Sequence, residues 1–127
     1  MIKRGPSANL ILGINQTAEL ISAVVIEVVP KGPLYVQACI QADNVNAGVA
    51  RFETAVMVDG VEVVAATVLL EMLQFENNTT TVVHEILNPR VGMVIRTQVD
   101  TPASANRVTF FAGRSWLWVF GEGFQGA

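Results

Sequence analysis

Apolar and polar residues alternate with a period of two along much of this chain, most clearly over residues 50–66. Two runs rich in β-branched residues flank Asp59-Gly60 there. Asp-Gly is a strong hairpin signal, because both central residues of a type I′ turn need φ > 0. On the incoming strand, Phe52 and every second residue after it fall on one face. The pattern predicts a hairpin in an antiparallel sheet.

Further segments with the same period, separated by turn residues, predict more strands. They are residues 20–29, 34–43, 81–87, 93–99, 107–112 and 115–120. Residues 20–29 are apolar on both faces, which is typical of a covered strand, although a helix beginning near Thr17 is a competing interpretation. Residues 68–75 lose the period, so a strand, a bulge or a helical turn all fit. We expect an all-β antiparallel sandwich or barrel of about eight strands.

The length of 127 residues predicts one domain. We expect residues 1–14 to form an N-terminal arm and edge segment, because Gly5-Pro6 interrupts any regular start. Residues 15–121 then form the β domain, and residues 122–127 form a glycine-rich C-terminal tail.

Charged residues make up only 15% of the chain, against about 25% in typical globular domains. Because this number of charged residues cannot cover the surface of a small domain, we expect another subunit or a partner to cover part of its apolar surface. A net charge of −3 with two lysines argues against a nucleic-acid partner. No signal-peptide pattern and no apolar run of membrane-helix length is present, so we expect no membrane partner and synthesis in a cytoplasm.

Few residues are candidates for chemistry. One cysteine, Cys39, and one histidine, His84, can form neither an intramolecular disulfide nor a zinc site of ordinary composition. His84 lies between apolar neighbours in a predicted strand, and Ser115 lacks the Gly-x-Ser-x-Gly pattern of a nucleophile. The aspartates lie in or beside turns without the Asp-x-Asp cluster of a calcium site. The sequence predicts a protein that is not an enzyme and uses no metal or cofactor.

The last predicted strand carries the largest apolar side chains. Trp116, Trp118 and Phe120 alternate with Leu117 and Val119. Burying one aromatic contributes about 1.5–3 kcal/mol, and a row of exposed aromatics invites aggregation. If one face of this strand lines the core, a subunit interface would cover the other. The alternative is that the aromatics are core and the aliphatic residues lie under a loop.

Four segments follow one another in an order that resembles a known module. They are Gly-Pro-Leu-Tyr-Val-Gln-Ala (32–38), Phe-Glu-Thr-Ala-Val-Met-Val-Asp-Gly (52–60), Ile-Leu-Asn-Pro-Arg-Val-Gly-Met-Val-Ile (86–95) and Ser-Trp-Leu-Trp-Val-Phe (115–120). Together they resemble the jelly roll of the C1q and tumour-necrosis-factor type. Two positions depart from its pattern: the usual Asn-Gly is Asp59-Gly60, and the usual Gly-Asp is Gly92-Met93.

The resemblance implies a jelly-roll sandwich that forms a homotrimer through the sheet containing the terminal strand. Trimeric decoration, or cement, proteins of phage heads use this module. The resemblance therefore implies a virion protein that lies on the capsid surface and binds the major capsid protein. The alternative is a receptor- or glycan-binding module of a phage tail or fibre tip. The candidate interface residues are Tyr35, Trp116, Trp118 and Phe120. The candidate capsid-binding arm residues are Ile2, Lys3, Arg4, Leu10 and Leu12.

Overall fold

The computed structural model describes residues 2–44, 48–73, 76–102, 104, 107–122 and 124, with residues 64–70 described by their backbone alone. Two antiparallel β-sheets pack together, which confirms the predicted all-β sandwich. The strands are β1 (Ile2–Arg4), β2 (Leu10–Leu12), β3 (Thr17–Glu19), β4 (Val24–Val25), β5 (Leu34–Asp43), β6 (Ala50–Val58), β7 (Val61–Met72), β8 (Asn77–Ile86), β9 (Val94–Asp100), β10 (Val108–Phe110) and β11 (Trp116–Phe120). A 3₁₀ turn, Ala112–Arg114, separates β10 from β11.

Strand β5 is the centre of the first sheet. On one edge β8 pairs with its whole length, from Leu34↔Ile86 to Asp43↔Asn77. On the other edge, β11 and β10 pair with successive parts of β5, and β1 and β2 lie outside β11 and β10. Strands β10 and β11 therefore form one row interrupted by the 3₁₀ turn, and β1 and β2 form another.

The second sheet has the order β3-β9-β6-β7, and β4 follows β3 along the same edge of β9. Since β1 with β2, β3 with β4, and β10 with β11 each share a row, the eleven described strands occupy eight rows. Counted along the chain, row 1 pairs with row 8, row 2 with row 7, row 3 with row 6 and row 4 with row 5. This nested pairing is that of one long ribbon folded back on itself.

The core lies between the sheets and consists of inward-facing apolar side chains. Phe52 of the second sheet meets Phe110 of the first edge to face, with ring centroids 5.6 Å apart. On β11, Leu117 and Val119 are fully buried. The terminal strand therefore places its aliphatic face in the core, so the alternative with the aromatics in the core is not the arrangement found.

Asp59 and Gly60 form the predicted turn between β6 and β7. Their φ angles of 50° and 80° are both positive, as a type I′ turn requires. The Asp59 carboxylate accepts the backbone N–H of Val94 at 2.9 Å and a second hydrogen bond from the Arg90 guanidinium. These bonds fasten the turn to the start of β9.

The region before β5 contains less strand than its apolar pattern predicts. Of residues 20–29 only Val24–Val25 pairs in a sheet, and Thr17–Glu19 forms β3 where a helix was the competing interpretation. Ile21 and Ile26 are nevertheless fully buried. The Ile26 backbone bonds the loop before β9, so apolar burial is achieved here without a continuous ladder.

Two further boundaries differ from the prediction. The segment with three open interpretations, residues 68–75, continues β7 as a strand as far as Met72, and residues 74–75 lie outside the described part of the chain. Strand β8 begins at Asn77, four residues before the predicted strand over residues 81–87. The reason is the length of β5, whose last residues pair with Asn77 and Asn78.

Both chain ends contribute to the sandwich. The described residues of the predicted arm, 1–14, include the outer row β1 and β2, with Ile2 and Leu12 buried. In the predicted tail, Phe124 is also buried, and its N–H donates to the carbonyl of Gly121. A Cβ on Gly121 would lie 2.7 Å from the Pro33 carbonyl oxygen, so the close approach of this segment to the start of β5 requires glycine.

Candidate functional site

The residues predicted for the oligomer interface lie together on the outer face of the first sheet. In the pairing of β11 with β5, Phe120 stands opposite Tyr35, and Trp118 and Trp116 follow along the same face. Tyr35 is 37% exposed, and the other three are half-buried. We call Tyr35, Trp116, Trp118 and Phe120 the aromatic face. The period of two in β11 is what separates it from the buried Leu117 and Val119.

The rings of the aromatic face contact one another. Tyr35 and Phe120 stack with centroids 5.7 Å apart, and Trp118 and Phe120 are tilted with centroids 5.5 Å apart. Such pairs contribute about 0.5–1.5 kcal/mol beyond area burial. The face is therefore ordered by its own contacts in the isolated chain.

Lys3 joins the aromatic face from β1, where it stands opposite Trp118. Its ammonium nitrogen lies 5.2 Å from the centroid of Trp116 and 5.5 Å from that of Trp118. An exposed cation–π contact contributes about 0.5–1 kcal/mol. A residue predicted for the capsid-binding arm thus lies on the predicted oligomer face.

The remaining arm residues divide between core and surface. Ile2 and Leu12 are buried, Leu10 is half-buried and packs against the core, and Arg4 is exposed. Aliphatic residues at alternate strand positions face the core, which explains why these three are unavailable to a partner. Lys3 and Arg4 are the exposed members of the predicted set.

Two features of the single chain indicate that the aromatic face has room for a partner: indole nitrogens without acceptors among the described residues, and an exposed apolar side chain beside it. The indole nitrogens of Trp116 and Trp118 are enclosed and have no hydrogen-bond acceptor among the described residues. Buried indole N–H groups normally find one. Beside the face on β8, Val83 is 59% exposed, directly across Gln37. Val83 therefore adds apolar surface on the β8 side of this outer face, next to the polar Gln37 of β5.

The residues considered as candidates for catalysis lie within the strands of the sandwich or bond to its backbone. The hydroxyl of Ser115 accepts the backbone N–H of Gln41 at 3.0 Å. Cys39 is buried, with its sulfur 4.0 Å from the Arg114 carbonyl oxygen. His84 lies in strand β8, on the same face as Val82 and Ile86. Within the described residues, no group of three or more His, Cys, Asp or Glu side chains could hold a metal ion.

A pocket of about 330 Å³ lies on the same outer face, beyond Trp116, and the sequence analysis did not find it. Its lining residues are Gln41, Asp43, Asn77, Phe111, Gly113 and Arg114. The alternation in β5 places Gln41 and Asp43 on this face, but the other residues arrive through long-range pairing and through the 3₁₀ turn. No local sequence signal joins these three segments.

A second exposed apolar region lies at the end of the sandwich where β4, β6 and β8 finish. Hydrogen bonds from Gly92 to Ile26 and from Asp59 to Val94 hold the three connections together. The exposed large residues of these connections are Val28, Val29, Val61, Leu87 and Val91. We call these five residues the apolar end.

On the outer face of the second sheet, Glu53 stands opposite Asp100 in the pairing of β6 with β9. Desolvation raises the pKa of Glu53 above its usual 4.5, and the nearby charges of Glu62 and Asp100 raise it further. This cluster carries like charges and lies on the sheet opposite the aromatic face.

No family model and no curated protein matches this chain. None of the helical structure in the described residues is long and apolar enough to cross a membrane. The geometry of the aromatic face, the pocket and the apolar end is therefore the basis for a functional assignment, together with the resemblance in the sequence.

Proposed function

We propose that this chain is a non-enzymatic virion structural protein, a homotrimeric jelly roll that decorates a phage head and stabilises it by binding the major capsid protein. The aromatic face carries the trimer part of the proposal. The decorating role rests on the resemblance to cement proteins. The nested pairing of eight rows supports the jelly-roll part, because a jelly roll is an eight-stranded ribbon folded into two sheets.

A second copy of the chain is the occupant that best fits the aromatic face. Aromatic residues are enriched in the buried centres of subunit interfaces. The charges beside the face are also complementary across it: Lys3 lies on the β1 edge of the sheet, and exposed Glu85 lies on the β8 edge, opposite Tyr35. In a closed ring, the Lys3 edge of one copy would meet the Glu85 edge of the next.

Binding to the assembled shell would stabilise it by mass action. A protein that binds the assembled head but not the dissociated capsid protein lowers the free energy of the assembled state by RT ln(1 + [L]/Kd). No catalytic group is needed for this, which accords with the structural surroundings of Ser115, Cys39 and His84.

Two surfaces are available for the capsid. One is the exposed Arg4, since Lys3 lies on the aromatic face and would be covered in the trimer, and the other is the apolar end. Charge reversal at Arg4 tests the first, and Leu87→Glu at the apolar end tests the second. A substitution that abolishes head binding while the trimer persists locates the capsid contact.

Sedimentation equilibrium and head-binding assays test the proposal. We expect a compact particle of three times the 13.7 kDa chain mass that binds phage heads and raises their disruption temperature. Lys3→Glu should weaken the trimer, and adding Glu85→Lys should restore it. A stable monomer at micromolar concentration contradicts the trimer, and a trimer that binds host cells but not heads favours the receptor- or glycan-binding alternative.

A further inference from the structure

We propose that the pocket beyond Trp116 binds a neutral, hydroxyl-rich ligand of monosaccharide size. The inference does not depend on the trimer or on the capsid. The pocket volume of about 330 Å³ lies at the lower end of the range for small-molecule sites, roughly 300–1,000 Å³, and suits one sugar ring.

The pocket exists because the row formed by β10 and β11 is interrupted. Phe111 still donates its N–H to the Gln41 carbonyl, at 3.0 Å, and Trp116 resumes pairing with Cys39. Between these points, the 3₁₀ turn Ala112–Arg114 leaves the ladder. Its residues form one wall of the pocket, and β5 and β8 form the floor.

Gln41 contributes to the pocket lining a polar atom that has no hydrogen-bond partner among the described residues. The residue is only 6% exposed, and its side-chain oxygen is enclosed without a hydrogen-bond donor among the described residues. Its backbone N–H and carbonyl are bonded to Ser115 and Phe111, which fixes the position of Gln41 beside the pocket. The terminal amide torsion is soft, so the amide can turn its oxygen towards an arriving donor.

The charged residues of the pocket identify the class of ligand. Asp43 only accepts hydrogen bonds, Arg114 only donates them, and Asn77 does both. Asp43 and Arg114 form no ion pair with each other within 4.0 Å and no ion pair with any other described residue. Their charges cancel, so neither an anion nor a cation is favoured overall. A hydroxyl group donates and accepts, so it satisfies both residues.

Phe111 supplies the apolar wall that a sugar ring needs. It is half-buried beside the polar lining, and Gly113 of the same segment adds no side chain to the pocket. A pyranose has C–H groups on its faces and hydroxyls around its edge. The pocket offers an aromatic side chain to the former and amide, carboxylate and guanidinium groups to the latter.

Saturation-transfer NMR of the full chain tests the inference with methyl glucoside, methyl galactoside and N-acetylglucosamine as probes. We expect saturable binding of at least one sugar with a Kd on the order of 1 mM, the usual limit for so small a ligand. Asp43→Asn and Arg114→Ala should each weaken binding about tenfold or more. Arg107→Ala, at an exposed arginine outside the pocket lining, is the matched control and should leave sugar binding unchanged.

Gly113→Leu provides a variant that keeps every polar group. A Cβ at Gly113 meets no atom within 4 Å, so the chain should fold, while the larger side chain obstructs the pocket. Loss of sugar binding in this variant supports the site. The inference is overturned if none of the sugars binds, if the pocket variants bind as tightly as the control, or if glycine or acetate binds in place of the sugars. Sedimentation of the same samples shows whether the trimer proposal fails separately.

Discussion

Two neighbouring residues of β11 separate the roles of its two faces. Leu117 is fully buried in the core, and Trp118 lies on the aromatic face. Leu117→Ala removes buried methyl groups and leaves a cavity, which costs about 2.7–5 kcal/mol. A domain of this size is stable by about 5–15 kcal/mol, and 1 kcal/mol shifts its Tm by about 4 °C, so we expect a loss of roughly 11–20 °C.

Trp118→Ala should act on association instead. Within one chain it removes the contact with Phe120 and the Lys3 cation–π contact, together about 1–2.5 kcal/mol. Across an interface, a tryptophan at the centre typically contributes at least about 2 kcal/mol, which is roughly thirtyfold in Kd per interface. The trimer should therefore dissociate at micromolar concentration while each chain remains folded.

Urea unfolding at several protein concentrations, with sedimentation of the same samples, distinguishes the two effects. The midpoint of the native protein should depend on concentration, and that of Trp118→Ala should not. Leu117→Ala should shift the midpoint while a concentration dependence persists. A Trp118→Ala protein that keeps the native mass would refute the assignment of the aromatic face as an interface.

Five further substitutions, two of them controls, test local features by thermal denaturation. Gly121→Ala should destabilise the fold by about 1–3 kcal/mol because its Cβ meets backbone, whereas Gly32→Ala, with open space around it, should be neutral or slightly stabilising. Asp59→Ala should lower the free energy of unfolding by about 1–3 kcal/mol, because alanine is strained at a left-handed position and cannot accept the N–H of Val94. Asp59→Asn should lower it less, since asparagine tolerates φ > 0. Glu53→Gln should slightly raise the Tm at pH 7 but not below about pH 4.5. Because the pKa of Glu53 is raised in the folded state, its ionisation costs stability as the pH rises through that pKa. If Glu53→Gln changed the Tm equally at pH 7 and below about pH 4.5, the raised pKa would not be the cause.

The period of two was sufficient to predict the long strands and their faces. In β5, β6 and β11, alternate residues point to opposite sides whatever the rest of the fold does, so the separation of Trp118 from Leu117 follows from local sequence. The Asp59-Gly60 turn was likewise predictable, because few residues accept φ > 0 at both positions.

Features that depend on distant partners were not predictable in this way. Ile21 and Ile26 are buried without belonging to a continuous strand, because hydrophobic burial does not require a ladder. Ile2 is apolar enough for the core, but composition alone does not distinguish a free arm from an edge strand. The distinction depends on the partner strand, β11, which is distant in sequence. Phe124 was assigned to a tail for the same reason.

The aromatic face and the pocket share strand β5, so association and ligand binding should be coupled. Cys39, opposite Trp116, and Gln41, in the pocket, are two residues apart, which is about 7 Å along a strand. A partner subunit on the aromatic face would narrow the open side of the pocket and exclude water from a bound sugar. Trp118→Ala should therefore bind sugar several-fold more weakly, although Trp118 does not line the pocket. By linkage, saturating sugar should strengthen association by the same factor for each of the three chains, measurable by sedimentation. Equal sugar affinities in the native and Trp118→Ala proteins would mean that the two sites act independently.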